Sequence, residues 1–377
     1  MKRRKFLKNL GGGILILGSG VVSQAWADSN AKDRNPHTNS NAKDKNQNAD
    51  SNVNPRTNKK ANPNATSQDS TDLQKGKNMQ QTWYITAASG GFGLELAKYA
   101  LSKGDKVAGT SRNLKNIIAK LGAESENFLP LELKFDKNME SNMKANLEAI
   151  REKFGRIDNL VNNAGYGLLG FVEEVSEEDL RAQFEVNVFA PFILTQNALK
   201  IMRPQALSEG GSQNNIRARI FNISSIGGFR ASSVSTPYCM SKFALSALSE
   251  GLLLDLAPFG IHTINVMPGG FRTEFVGESL RLGDRAISDY DKRREAFLSR
   301  TKSYNGKQAG NPAKFGEVIF KISRMEKPPF SLFMSDSAYK SARNKLEWVK
   351  EEMESTQSYA GVAMDFADSA GSAFDAR

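Results

Sequence analysis

Ser225, Tyr238 and Lys242 stand in one stretch, S-I-G-G-F-R-A-S-S-V-S-T-P-Y-C-M-S-K. After the tyrosine, apolar residues recur at three- and four-residue steps, which is a helical period. Tyr238 and Lys242 are four residues apart. That spacing on a helix puts them on one face, one turn apart, so a phenol and an ammonium are expected side by side. A free phenol has a pKa of about 10 and is a poor acid or base at neutral pH. A cation held beside it favours the phenolate and lowers that value. A tyrosine tuned this way can give or take a proton at a carbonyl or alcohol oxygen. Tyr-x-x-x-Lys also arises by chance, so its meaning depends on what the rest of the chain places around it.

Other chemistries lack their residues. The chain has one cysteine, Cys239, and two histidines, His37 and His262. One cysteine forms no internal disulfide, and no Cys/His cluster with zinc-ligand spacing is present. A Ser-His-Asp triad would have to use His262, because His37 lies in a polar tract. His262 sits in the strand-like run G-I-H-T-I-N-V-M and reads as structural.

Strand and helix patterns alternate around the stretch. Gln80 to Ala88 reads as a short buried strand, followed by Ser89-Gly90-Gly91-Phe92-Gly93 and a helical pattern from Leu94 to Ala100. Strand, glycine turn and helix form the layout that cradles a dinucleotide pyrophosphate. The glycines let backbone approach phosphate, and the helix start offers free N–H groups. Lys106 to Thr110 is the next strand. A free ribose 2′-hydroxyl usually calls for an acid about 20 residues past the glycine turn. From Lys106 to Asn113 there is none, and Arg112 stands there. A guanidinium suits a 2′-phosphate, which favours NADP(H) over NAD(H); a solvated surface arginine is the alternative.

Further strands are expected at Asn127 to Leu133, Ile157 to Val161, Ala218 to Ile223 and Ile261 to Met267, with a short last one at Phe330 to Met334. Helices are expected from Asn138 to Phe154, along Phe184 to Leu194, after Tyr238, and from Ala338 to Glu354. Asn187 lies in a very apolar stretch, where a buried amide must find partners. The alternation specifies an α/β fold, a doubly wound parallel sheet with helices on both faces.

Thr86-x-x-x-x-Gly91-x-Gly93, Asn162-Asn163-Ala164-Gly165, Asn187, Ser225, Tyr238-x-x-x-Lys242 and Pro268-Gly269-x-x-x-Thr273 occur together. Their order and spacing resemble those of the short-chain dehydrogenase/reductase family, strongly from about Gln80 to Thr273. L-V-N-N-A-G-Y-G-L-L-G and P-G-G-F-R-T-E-F resemble its hydroxysteroid-dehydrogenase-like branch. The resemblance implies a Rossmann-type domain over residues 79–377, with about 274–377 covering the substrate and forming the C-terminal part. It implies an enzyme that interconverts a carbonyl and an alcohol by hydride transfer, with Tyr238 as the proton donor or acceptor. Lys242 would lower its pKa and bond the nicotinamide ribose. Ser225 would hold the substrate oxygen, Asn187 would support a water-linked proton path, and Thr273 would contact the nicotinamide carboxamide. The cofactor set it implies is Thr86, Ser89, Gly91, Phe92, Gly93, Asn163, Ala164, Gly165, Tyr238, Lys242, Pro268, Gly269 and Thr273, joined by Arg112. Two positions depart from the pattern. Ala87 replaces the turn's first glycine, and Lys134 stands where an aspartate near the adenine is usual, with Asp136 two residues on. Either could weaken cofactor binding. A non-catalytic NADP(H)-binding sensor or scaffold is the alternative function, disfavoured because it has no chemical need for Asn187, Ser225, Tyr238 and Lys242 together.

The front of the chain reads differently. Lys2-Arg3-Arg4-Lys5-Phe6-Leu7-Lys8 precedes an apolar run, Leu10 to Val22, and then Ala25-Trp26-Ala27. A basic head, an apolar segment and a small-x-small site form an export signal. Arg3-Arg4-x-Phe6-Leu7-Lys8 resembles a twin-arginine signal, which implies the export machinery as a partner and a periplasmic location; an uncleaved membrane tether is the alternative. Asp28 to Asn78 is rich in Asn, Asp, Lys and Ser, with Val53 and Leu73 its only large aliphatics. Such a tract buries too little to offset its ordering entropy and is expected to be a disordered linker. Of the net charge of +10, the basic head carries +5 and the linker +3, leaving +2 for the remainder. A folded part so near neutrality has no need of a nucleic-acid partner. A homo-oligomer is left open.

Overall fold

The computed structural model describes residues 79–205, 216–273, 280–361 and 364. The expected signal (1–27), the expected linker (28–78) and the start of the expected cover, Phe275 included, lie outside the described residues.

The strands are β1 (Thr82–Ile85), β2 (Lys106–Ser111), β3 (Phe128–Glu132), β4 (Asn159–Asn162), β5 (Gly167–Leu169), β6 (Ala218–Ile223), β7 (Ile261–Pro268), β8 (Leu280–Leu282) and β9 (Ser331–Met334). The helices are α1 (Gly91–Ser102), α2 (Leu114–Leu121), α3 (Met139–Phe154), α4 (Glu177–Phe184), α5 (Ala190–Met202), α6 (Thr236–Leu256), α7 (Asp291–Tyr304), α8 (Pro312–Ser323) and α9 (Asp336–Ala360).

Seven strands form one parallel sheet in the order β3-β2-β1-β4-β6-β7-β9. Strand side chains alternate between faces, and here both faces are apolar. Trp83, Ile85, Phe221 and Ile223 point into one buried cluster, shared with α1 and α8. Tyr84, Leu160 and Ile220 point into another, shared with α3 and α5. Burial on both faces is why these strands read as near-continuous apolar runs. The strand order reverses between β1 and β4, and the crevice at the carboxyl ends of such strands is where open α/β sheets bind ligands.

The sequence misses three features. The expected continuous helix around Asn187 is interrupted by a π-helical turn, Glu185–Phe189, between α4 and α5. Phe275 to Tyr304, a charged and amphipathic stretch expected to be helical, is helical among the described residues chiefly in α7, while β8 pairs with β5 as a separate two-stranded parallel ribbon. The C-terminal part is also fastened to the sheet's amino-terminal edge. Arg324 donates twice to Asp105, at 2.6 and 2.8 Å, while Asp105 accepts from the Trp83 indole at 2.7 Å.

Candidate active site

The glycine turn follows β1 directly. Gly91 has φ 52, the left-handed region that glycine enters without steric cost. A Cβ on Gly93 would lie 2.6 Å from Asn163 Nδ2 and 2.7 Å from the Ala87 carbonyl oxygen, so strand end and helix can meet only through glycine. A Cβ on Gly90 or Gly91 would meet nothing within 4 Å, so that side of the turn is open. The N-cap of α1 is Gly90, with no side-chain cap and no acid in the first turn. Free helix N–H groups facing an open, acid-free turn suit a pyrophosphate, and the turn fits a dinucleotide.

Thr86 fixes the crevice. Its hydroxyl donates to the Val161 carbonyl at 3.2 Å and accepts the N–H groups of Asn163 and Ala164, both at 2.9 Å. Asn163 returns a bond from its amide to the Thr86 carbonyl at 2.9 Å. Asn163 is thus occupied with joining β4 to β1. Ala87 sits at φ 53, so the methyl that replaces the expected glycine hydrogen lies on a left-handed backbone. Ser89 bonds Ser111 through their hydroxyls at 3.0 Å, and its carbonyl accepts from Lys120 at 2.8 Å. Arg112 is exposed just past β2. Lys134 is exposed and pairs with Glu132 at 2.7 Å, while Asp136 accepts the Asn138 N–H at 2.9 Å ahead of α3. Asp136 therefore serves the local turn.

Across the crevice, β7 ends at Pro268 and Gly269 follows. A Cβ there would lie 2.6 Å from Ser335 Oγ, so Gly269 lets the start of α9 close over this strand end. Thr273, half-buried, donates its N–H to the Phe271 carbonyl at 2.9 Å. Phe92 meets Phe271 edge-on at 4.9 Å and stacks on Phe315 at 4.1 Å. Its side chain thus ties the glycine turn to α8.

Ser225, Tyr238, Lys242 and Asn187 come together at the carboxyl ends of β4 and β6. Ser225 follows β6, and its hydroxyl accepts the Gly227 N–H at 3.0 Å. That fixes the oxygen and leaves its proton free to be donated. The hydroxyl is hydrogen-bonded to the Tyr238 phenol. Tyr238 and Lys242 share a face of α6, with Lys242 Nζ 5.9 Å from the tyrosine ring centroid. Lys242 is 4% exposed and donates to the Ile223 carbonyl at 2.8 Å. A Cβ on Gly165 would lie 3.3 Å from that nitrogen and 3.1 Å from Asn187 Oδ1, so Gly165 leaves room for both. Asn187 is fully buried in the π turn. It accepts from the Tyr166 N–H at 3.1 Å and donates to the Tyr166 carbonyl and to Ser241 Oγ, both at 3.0 Å. π turns are frequent at functional sites; this one aims a satisfied amide at α6.

The pair titrates differently from the sequence expectation. Burial raises the Tyr238 pKa above the phenol range, and the Ser225 hydroxyl opposes that rise. Burial also pushes the Lys242 ammonium down, to about 8. Tyr238 therefore rests protonated at neutral pH. Sequence reasoning missed Ser241, which donates to the Tyr238 carbonyl at 2.7 Å while holding Asn187. Its position three residues after Tyr238 was the available signal.

This architecture and the arrangement at its crevice define a class. The family model for short chain dehydrogenases matches residues 81–281, and the chain belongs to that family of oxidoreductases. It is 30% identical over 275 residues to Oxidoreductase BOA17 of Botryotinia fuckeliana, covering 71% of this chain and 94% of the relative. It is 30% identical over 274 residues to 17-beta-hydroxysteroid dehydrogenase type 1 of Homo sapiens, covering 70% and 80%. The solved structure of a short-chain dehydrogenase from Streptomyces avermitilis aligns with TM-score 0.66 and 30% identity over 76% of this chain and all of that one.

Proposed function

We propose that the protein interconverts a carbonyl and an alcohol with NADP(H), Tyr238 handling the proton. The observation that carries this reading is the Ser225–Tyr238 hydrogen bond, with the buried Lys242 beside it at the sheet's switch-point crevice. A bound nicotinamide supplies or receives the hydride. The chain's own residues do the rest. Ser225 orients the carbonyl oxygen, and Tyr238 gives it a proton during reduction. The phenolate so formed is stabilised by the Ser225 hydroxyl and the Lys242 charge. Asn187 holds the neighbourhood of Lys242 in register. The open glycine turn takes the pyrophosphate, and Arg112 takes the 2′-phosphate. The test is a screen of ketones, aldehydes, quinones and alcohols with NADPH and NADP⁺, read by nicotinamide absorbance. Turnover with NADPH is expected; absence of turnover with every carbonyl and alcohol overturns the reading.

We further propose a location outside the cytoplasm. Its support is the sequence alone: Arg3-Arg4-x-Phe6-Leu7-Lys8 before an apolar run and Ala25-Trp26-Ala27. A twin-arginine route carries folded cargo, and a nucleotide bound before export would stabilise that cargo by mass action.

A further inference from the structure

Val234 has φ 64. A β-branched residue at positive φ is an outlier, and such strain persists only where the surroundings over-determine it. Val234 is 6% exposed and lies in the segment joining Ser225 to Tyr238, four residues before the tyrosine.

Its surroundings are the cover. The side chain belongs to a buried cluster with Leu169 and Phe171 of the β5 segment and Phe297 of α7, against which Leu280 and Tyr290 pack. Its carbonyl accepts the Gly170 N–H at 2.8 Å. The cover is in turn fastened to the β5 segment. Gly283 donates to the Leu169 carbonyl at 2.7 Å. Arg294 is ion-paired with the buried Glu174 carboxylate. Phe171 and Tyr290 stack with centroids 4.2 Å apart. One connected set of contacts thus runs from α7 through β5 to the start of α6.

We propose that Val234 is a positioning residue: its left-handed backbone, held by the cover's apolar cluster, sets where α6 begins and so where Tyr238 stands relative to Ser225. This rests on the carbonyl–alcohol reading above. The strain gives the joint two positions. With the cluster in place, Val234 stays left-handed. Freed from it, the residue relaxes to negative φ, the following peptide turns, and Tyr238 leaves its bond to Ser225. Closure of the cover and readiness of the proton donor become one event.

The test uses the full chain with NADPH and phenanthrenequinone as the carbonyl probe. Val234→Ala keeps the Cβ that disfavours positive φ and removes the methyl groups that the cluster grips. It should lower kcat at least tenfold, leave KM for NADPH within twofold, and move the midpoint of the pH–kcat profile. Phe297→Ala, which loosens the same cluster without touching residue 234, should do the same to a smaller extent, and carries the test if the first variant does not fold. A residue that only fills space would change thermal stability and leave the pH midpoint in place. Folded variants with unchanged kcat and pH midpoint overturn the proposal. Limited trypsin digestion separates this from failure of the parent reading. If the wild type does not reduce the quinone but both variants are cut faster within residues 280–304, the joint stands and the proposed reaction falls. Equal cleavage rates overturn the joint.

Discussion

Lys242 lies 5.9 Å from the centre of the Tyr238 ring and donates to the Ile223 carbonyl at 2.8 Å. Its charge is held at the end of β6 by one backbone oxygen, and among the described residues no carboxylate offsets its burial. A lone buried cation is costly, and that cost makes its protonation state adjustable near neutral pH.

The pH dependence of stability follows. Burial depresses the folded-state pKa of Lys242 to about 8 from 10.5. Below pH 8 the lysine is charged in both states, and its burial destabilises the fold. Between pH 8 and 10.5 the unfolded chain binds more protons, so stability from this group rises with pH. It is fully present above 10.5 and is lost as pH falls through 8. At 1.36 kcal/mol per pK unit the swing is about 3 kcal/mol. Lys242→Met should therefore be more stable than wild type at pH 7, with the gap closing toward pH 10.5. Denaturant unfolding at several pH values measures it, and a pH-independent gap would contradict the assignment.

Ala87 should be a relievable strain. An L-residue in the left-handed region costs roughly 1–2 kcal/mol more than glycine, and Ala87 sits at φ 53. Ala87→Gly is expected to raise Tm by about 2–4 °C, the usual size for 1 kcal/mol in a domain of 150–250 residues. Calorimetry decides it; a lowered Tm would mean that the methyl packs usefully.

Arg112→Asp should weaken NADPH binding at least tenfold more than NADH binding. The guanidinium stands exposed past β2 with no acid between Lys106 and Asn113. Dissociation constants for both nucleotides at fixed salt provide the comparison. Equal weakening would remove Arg112 from cofactor selection.

The double change Arg3→Lys with Arg4→Lys keeps the basic charge and removes both guanidinium groups. An ordinary secretory signal should tolerate it, whereas a twin-arginine signal should fail. Fractionation of cells producing each form gives the answer, and normal export of the double-lysine form would sink the folded-export proposal.

Much of this was legible in the chain. β6 was readable to the residue as Ala218 to Ile223, because a central parallel strand is buried on both faces and Ile220, Phe221 and Ile223 mark it. The pairing of Tyr238 with Lys242 follows from helical period alone. What stayed hidden depends on tertiary contact. The β5–β8 ribbon joins segments over a hundred residues apart and leaves no periodic trace in either. The π turn at Asn187 is satisfied by Tyr166 and Ser241, from two other elements. The direction of the Tyr238 shift was misread because spacing shows the neighbouring cation and not the burial, which dominates. The positive φ at Val234 has no signature in a β-branched residue, whose type argues against it.

The central claim is that Tyr238 transfers the proton. Tyr238→Phe keeps the ring and removes only the hydroxyl that bonds Ser225. Steady-state reduction of the carbonyl identified in the screen, with NADPH affinity measured separately, tests it most directly. The expected result is a kcat lowered by about 10²–10⁴-fold, the usual worth of general acid–base catalysis, with NADPH binding unchanged. A phenylalanine variant that keeps near wild-type kcat would contradict the account.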